Sequence, residues 1–204
     1  MQHSNVQNYQ IFQRNADGYA PICYHGVQTP AIEENQRILA RIVRETDNLE
    51  LIPWTTCMTQ TKDGGTAWSL DVNVPEGGLY RFEAQVMPIT TSPEWGTRID
   101  CAYHVGVGDV YVMAGQSNMT GYARDFAYDP PTLGVHAFTR QGNWALAVHP
   151  LGDSIDSPYG YSENCSGTSP ALSFARRLHE ELNIPIGLVP AAIGGTALAE
   201  WDPE

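Results

Sequence analysis

The chain has 204 residues, room for one large domain or two small ones, and with 42% of them hydrophobic it can bury a core rather than stay disordered. Its 11 lysines and arginines face 23 aspartates and glutamates, a formal charge of −12, and such a field repels phosphate backbones and argues against nucleic acid as a partner. No apolar run nears the roughly 20 residues that a membrane helix needs, which argues against a membrane partner too.

The start, Met1-Gln-His-Ser-Asn5, has neither a basic nor an apolar segment, so no secretory signal is visible and a cytoplasmic location is expected. Cys23, Cys57, Cys101 and Cys165 lie far apart with no C-x-x-C pair, and the histidines show no H-x-x-x-H spacing. These spacings predict reduced, partly buried thiols, no metal and no cofactor.

In chain order, Tyr9-Gln-Ile-Phe-Gln13 alternates, Asp17-Gly18 turns and Ala20-Pro-Ile-Cys-Tyr24 resumes, a pattern that predicts a hairpin. Arg37-Ile-Leu-Ala-Arg-Ile-Val-Arg44 fits helix or strand, and its β-branched content leans to strand. Thr66-Ala-Trp-Ser-Leu-Asp-Val-Asn-Val74 and Leu79-Tyr-Arg-Phe-Glu-Ala-Gln-Val86 alternate on either side of a turn at Pro75-Glu-Gly-Gly78. Such strands predict a sheet edge or a β-sandwich over the first hundred or so residues.

From about Gly108 the pattern changes. Val110-Tyr-Val-Met-Ala114 is almost continuously apolar and stops at Gly115, as for a strand covered on both faces in a parallel sheet. A hairpin is expected through Val135-His-Ala-Phe138 and Trp144-Ala-Leu-Ala-Val148. Ser169-Pro170 supplies the cap and first-turn proline of a helix ending near Asn183, with Ala171, Ala175, Leu178 and Leu182 on its apolar face. Ile186-Gly-Leu-Val-Pro-Ala-Ala-Ile193 then reads as a second buried strand that runs into Gly194-Gly195-Thr196. Strand, helix and strand make a βαβ crossover.

Chemistry concentrates where those two strands end. Ser117, in Gly115-Gln116-Ser117-Asn118-Met119, follows the first strand and is either a turn or cap residue or a nucleophile projecting into the crevice at the sheet's carboxyl edge. Met119 stands where a G-x-S-x-G elbow has its second glycine, so the α/β-hydrolase elbow is not matched. Gly194 and Gly195 either make a tight turn or open backbone amides toward the same edge, where acyl transfer needs donors for a developing oxyanion.

Gly-Asp-Val-Tyr-Val-Met-Ala-Gly-Gln-Ser-Asn-Met over 108–119, followed by Gly187-Leu-Val-Pro-Ala-Ala-Ile-Gly-Gly-Thr196 and Trp201, resembles the sialate O-acetylesterase and carbohydrate acetylesterase group of the SGNH (GDSL-like) hydrolases. Tyr9–Gln13, Pro75-Glu-Gly-Gly-Leu-Tyr80 and His104-Val-Gly-Val-Gly-Asp109 are similar to the β-sandwich that precedes the hydrolase domain in many members. The resemblance implies an α/β chain with a β-sandwich over 1–107, then the first part of a flavodoxin-like three-layer SGNH hydrolase domain over 108–204. It implies Ser117 as nucleophile, the amides of Ser117 and Gly194 as oxyanion hole with Gly195 as the alternative, and supporting places for Gln116, Asn118 and Thr196. The substrate it implies is an acetylated carbohydrate, sialic acid or another sugar, met in some members outside the cell or in the periplasm.

Two segments that the family uses, Gln-Gly-Glu and a late D-x-x-H carrying the general base, do not occur. A serine at its free pKa needs such a base. No histidine follows Gly194; His149 and His179 read as surface residues, and the spacing of His25 and His104 supports neither as a substitute. The expectation is therefore an N-terminal piece, its parallel strands left with an unpaired apolar edge, whose His and Asp come from a C-terminal remainder or a second chain. A reading from another class is a noncatalytic carbohydrate-binding protein in which Trp54, Trp68 or Trp95 stacks on sugars instead of filling a core.

Overall fold

Strands dominate the described residues, 4–124, 128–155, 158 and 167–202, of the computed structural model. They are β1 (Ile11–Gln13), β2 (Tyr19–Gln28), β3 (Gln36–Arg44), β4 (Glu50–Thr56), β5 (Met58–Lys62), β6 (Gly65–Pro75), β7 (Gly77–Pro88), β8 (Thr97–Met113), β9 (Val135–Phe138), β10 (Trp144–Leu146) and β11 (Ile186–Pro190). Two helices, α1 (Ser117–Thr120) and α2 (Pro170–Leu182), join short 3-10 turns at Pro93–Trp95 and Leu198–Trp201. The chain divides into two units, one of residues up to Tyr9 with Arg14–Val107, the other of Gln10–Gln13 with residues from Gly108 onward. The architecture is mixed α/β. No helix of the described residues is long and apolar enough to cross a membrane.

In the first unit, β2 alternates strictly, turning Ala20, Ile22 and Tyr24 inward and Pro21, Cys23 and His25 outward. It pairs along its whole length with β6, from Tyr19 opposite Pro75 to Gln28 opposite Thr66, and β5 pairs the other edge of β6. The expected hairpin between Tyr9–Gln13 and Ala20–Tyr24 does not form. Alternation fixes which face of a strand is buried and leaves its partner open, and the longer β6 offers β2 a full ladder.

A second antiparallel sheet runs β4, β3, β7 and the residues of β8 up to Val107. Arg37–Arg44 is indeed strand, and the turn after Pro75 carries the chain from β6 in one sheet to β7 in the other. Cys57 makes the same passage between β4 and β5; it is buried, its amide donates to the Ile38 carbonyl at 2.9 Å, and burial pushes its thiol up to about 12. Cys23 is exposed, Cys101 half-buried, and Cys165 lies outside the described residues.

The two sheets share one core, in which the Tyr24 ring meets Trp68 and Phe82 edge-on with centroids 4.9 and 5.3 Å away. Trp68 is thus core rather than a sugar-stacking surface. Tyr24 donates its hydroxyl to Asp100 Oδ2 at 2.7 Å, and burial together with that carboxylate holds the phenol far above its ordinary pKa.

In the second unit β9, β11 and β8 are parallel, with β10 antiparallel on the edge of β9. The hairpin over Val135–Val148 is present, but its first strand also joins the parallel sheet, Gly187 lying opposite His136 on one side and Val110 on the other. β8 and β11 meet closely because Gly108 has no side chain: a Cβ there would stand 1.9 Å from the Pro185 carbonyl oxygen. The edge of β8 away from β11 is not left bare, since β1 pairs with β8 and the Gln13 side-chain oxygen accepts the Val110 amide at 2.7 Å. For that reason Gln10–Gln13 groups with this unit and not with residues 14–107.

α2 begins and ends as its sequence predicts: Ser169 Oγ accepts from the Ala171 amide at 3.2 Å, Pro170 opens the helix, and Asn183 closes it in the left-handed conformation. Leu172 and Ala175 pack on Val135, Ile186 and Leu188. Leu182 is half exposed instead, because the last turn runs past the core, and Phe174 rests edge-on against Tyr111 at 5.2 Å.

Tyr24→Phe should cost about 1–3 kcal/mol of unfolding free energy, since it leaves the buried Asp100 carboxylate without its donor; urea denaturation of the two proteins measures it.

Candidate active site

The main-chain ladder between β8 and β11 continues beyond both strands. Ala191 donates to the Met113 carbonyl at 3.1 Å, and Ile193 donates to the Gly115 carbonyl at 3.0 Å. These bonds carry the two loops forward side by side, so Ser117 lies two residues past one end of the last bond and Gly194 one residue past the other. Both sit at the carboxyl ends of parallel strands, where open α/β sheets place their sites.

The backbone at Ser117 is shaped by its neighbours. Gly115 takes φ +139°, a region that side chains rarely occupy, and turns the chain out of the sheet. Gln116 becomes the residue before α1, its carbonyl accepting the amides of Met119 and Thr120, each at 2.9 Å, and the Thr120 hydroxyl at 3.1 Å. Ser117 is the first helical residue; its carbonyl accepts from Gly121 and Tyr122, and Gly121 ends the turn in the left-handed region. Ser117 is half-buried, whereas Gln116 and Asn118 are exposed. Among the described residues the hydroxyl and amide of Ser117 have no hydrogen-bond partner, and neither has the Gly194 amide.

The glycine loop is braced from its far side. Thr196 Oγ1 donates to the Ile193 carbonyl at 2.9 Å and accepts from Trp201 Nε1 at 3.0 Å, so Thr196 holds the turn. Gly195 is exposed with φ +77°. Gly194 is half-buried and takes no positive φ.

Two further residues anchor these loops: Arg140, not singled out from the sequence, and Ser169, expected there only as the cap of α2. Arg140, just after β9, donates from Nη2 to the Ala192 carbonyl, tying the end of the third parallel strand to the glycine loop. Ser169 donates to the Met119 carbonyl at 2.8 Å while capping α2, which joins α1 to that helix. The signal for Arg140 is its place after a strand of the sheet, visible only once β9 is known to be parallel to β11.

The histidines of this unit are engaged elsewhere. His136 is fully buried and accepts the Gly134 amide at 3.2 Å, and His179 Nδ1 lies 2.6 Å from the Ile184 carbonyl. His149, expected as a surface residue, has a side chain only 15% exposed, with Nε2 3.4 Å from Asp129 Oδ2. Asp129 also accepts from Ser173 Oγ at 2.7 Å and from Arg176 Nη1 at 3.1 Å. Burial pushes its carboxyl up, but the hydrogen bonds from Ser173, His149 and Arg176 outweigh burial and hold it below the usual carboxylate range. No group of three or more His, Cys, Asp and Glu among the described residues is arranged to hold a metal.

Residues 107–204 match the family described as carbohydrate esterase, sialic acid-specific acetylesterase. By this match the segment is similar to carbohydrate esterases. A relative from Arabidopsis thaliana named "Probable carbohydrate esterase" is 30% identical over 111 residues, which make up 46% of this chain and 41% of the relative. The chain thus spans less than half the length of the curated relative it matches. An Arabidopsis thaliana protein of known crystal structure is similar at 28% identity, over 46% of this chain and 44% of that one, with a TM-score of 0.39. A carbohydrate acetylesterase from Xanthomonas citri aligns over 96% of this chain and 40% of its own at 20% identity, with a TM-score of 0.49. The matched segment holds both Ser117 and Gly194.

Two outcomes check the bracing of this segment. Ser169→Ala removes the α2 cap and the clamp on Met119 together, and should lower stability by about 1–2 kcal/mol in denaturant melts. Because the folded-state pKa of Asp129 is depressed, the stability it contributes is present above its unfolded pKa of about 4 and is lost as pH falls through the folded value. Asp129→Asn should therefore be less stable at pH 7 by about 1–3 kcal/mol, with the difference from the unaltered protein vanishing toward acid pH in melts at each pH.

Proposed function

We propose that the chain is the nucleophile-bearing part of a serine esterase that removes O-acetyl groups from sugars, sialic acid among them. The observation that supports this reading is the Ile193–Gly115 bond, which joins the loops of Ser117 and Gly194, whose hydroxyl and amides have no partner among the described residues, in a segment that matches the carbohydrate esterase family. Ser117 Oγ attacks the acetyl carbonyl carbon as its proton passes to a base. The carbonyl oxygen becomes an oxyanion held by the amides of Ser117 and Gly194, and Gln116 and Asn118 flank the nucleophile and orient it. Collapse breaks the bond to the sugar oxygen, which leaves as a hydroxyl after taking the proton, and water then releases acetate from acetyl-Ser117.

The base is a histidine with an acidic partner, carried by further polypeptide, either a C-terminal remainder or a second chain. What supports this is that His136, His149 and His179 are each bonded elsewhere and no described histidine bonds Ser117. Residues 108–204 are then the first part of a three-layer SGNH domain, and the two-sheet unit before them its β-sandwich.

With the base-bearing polypeptide present and 4-nitrophenyl acetate as acyl donor, mass spectrometry should find an acetyl adduct on the peptide containing Ser117 and none in Ser117→Ala. When polypeptide bearing the base is added, turnover should rise and Ser117→Ala should lower it by about 10⁴-fold. Equal acetylation or equal turnover in the variant would show that Ser117 is not the nucleophile.

A further inference from the structure

One face of the sheet β4, β3, β7 and β8, floored by the buried Leu39, Val43 and Met87, gathers positive charge in an otherwise acidic chain. Register places Arg37 and Arg41 on one side of β3, and Arg41 opposite Glu83 on β7. Arg81 lies two residues from Glu83 on the same face, and Arg98 on β8 stands opposite Gln85. Four of the 11 cationic residues therefore share one face with only Glu50 and Glu83 answering them through ion pairs.

Glu83 is 1% exposed and organises this face. Its Oε2 accepts from Arg41 Nε at 2.5 Å, and its Oε1 from Arg81 Nε at 3.1 Å and Arg98 Nη2 at 2.8 Å. Arg41 is held further by Glu50 at 2.7 Å and by the Trp54 ring, 4.5 Å below its guanidinium. One carboxylate thus orients three guanidinium groups without using them up. The two Nη nitrogens of Arg81, and Nε with Nη1 of Arg98, have no partner among the described residues. Arg37 goes further: its guanidinium has no hydrogen bond or ion pair, and its Nε is buried. A buried, unanswered cationic donor costs stability unless an anion meets it.

Trp95 adds an apolar platform. It is 80% exposed in the turn Pro93–Trp95, whose Pro93 carbonyl accepts from Gln85 Nε2 at 2.8 Å, and it precedes Arg98 by three residues. From the level of Arg37 to that of Arg81 is about 20 Å at the rise of a strand. Planar forks spaced along such a row fit carboxylates on successive units of a chain, and an exposed indole fits the apolar face of a sugar ring.

We propose that this face binds an oligosaccharide bearing carboxylates on several of its sugars, through Arg37, Arg81 and Arg98 with Trp95 stacking on a ring. The residues of the site all belong to the first unit and do not include Ser117, so binding is read without any ester being cleaved.

Tetragalacturonate titrated calorimetrically into the whole chain tests it, with its methyl ester, inorganic phosphate and oligo(dT) as the other arms. Arg37→Gln removes no hydrogen bond or ion pair and, by taking away a buried unanswered charge, should not lower the thermal midpoint while weakening tetragalacturonate binding about tenfold; Trp95→Ala, which removes an exposed ring, should weaken binding likewise. The methyl ester should bind at least about tenfold more weakly, and phosphate and oligo(dT) more weakly still. Absence of tetragalacturonate binding at about 10 mM, binding unaffected by both substitutions, or an equal affinity for the methyl ester, phosphate or oligo(dT) would each overturn the proposal.

Discussion

The parallel pairing of β8 with β11 is the constraint on which the candidate active site rests. A ladder that stopped at Met113 and Pro190 would leave two loops of independent geometry. Here the bonds from Ala191 to Met113 and from Ile193 to Gly115 extend it, so the serine turn and the glycine turn leave the sheet from adjacent, bonded positions. Gly108 allows the close approach at the start of that pairing, and Gly115 allows the abrupt exit at its end. Arg140, Thr196 and Ser169 then brace the loops with side-chain bonds to main-chain carbonyls, which fix position without committing the Ser117 hydroxyl.

Polar groups in the two units follow a common economy. Where a carboxylate is buried, donors meet it: Ser173, His149 and Arg176 on Asp129, three arginines on Glu83, and the single hydroxyl of Tyr24 on Asp100. Burial of an ion is tolerated only with such partners. The consequences differ with surroundings. Asp129 spends its bonds on joining a loop to α2, whereas Glu83 sits under guanidinium groups that keep donors to spare.

Much of the second unit was legible in the sequence because its signals are local. An apolar run ending at Gly115, a serine and proline opening α2 and an asparagine closing it report on residues within one turn or strand. Ser117 and the Gly194-Gly195 turn were legible as candidates for the same reason, each following a buried strand, while the choice of Gly194 rested on the family resemblance. Pairing was less legible. Tyr9–Gln13 alternates as a strand should, yet nothing in it says that it joins β8 rather than β2, and β9 looks like half of a hairpin until its other edge is found against β11. His149 read as a surface loop residue because its partner, Asp129, is twenty residues away and meets it only in the folded chain.

By itself, then, the sequence determined several of the strands and the main helix, and the residue types that stand where the buried strands end, since these depend on side-chain periodicity and turn chemistry within a few residues; it missed β4 and β5 and carried the second buried strand to Ile193, three residues beyond the end of β11. Only the tertiary structure decided which strands are neighbours, that the Ser117 and Gly194 loops leave the sheet side by side, that Trp68 is core while Trp95 is surface, and that four arginines share one face. Those outcomes depend on contacts between residues tens of positions apart, which compete for the same edges and the same buried space, and no local pattern records who wins.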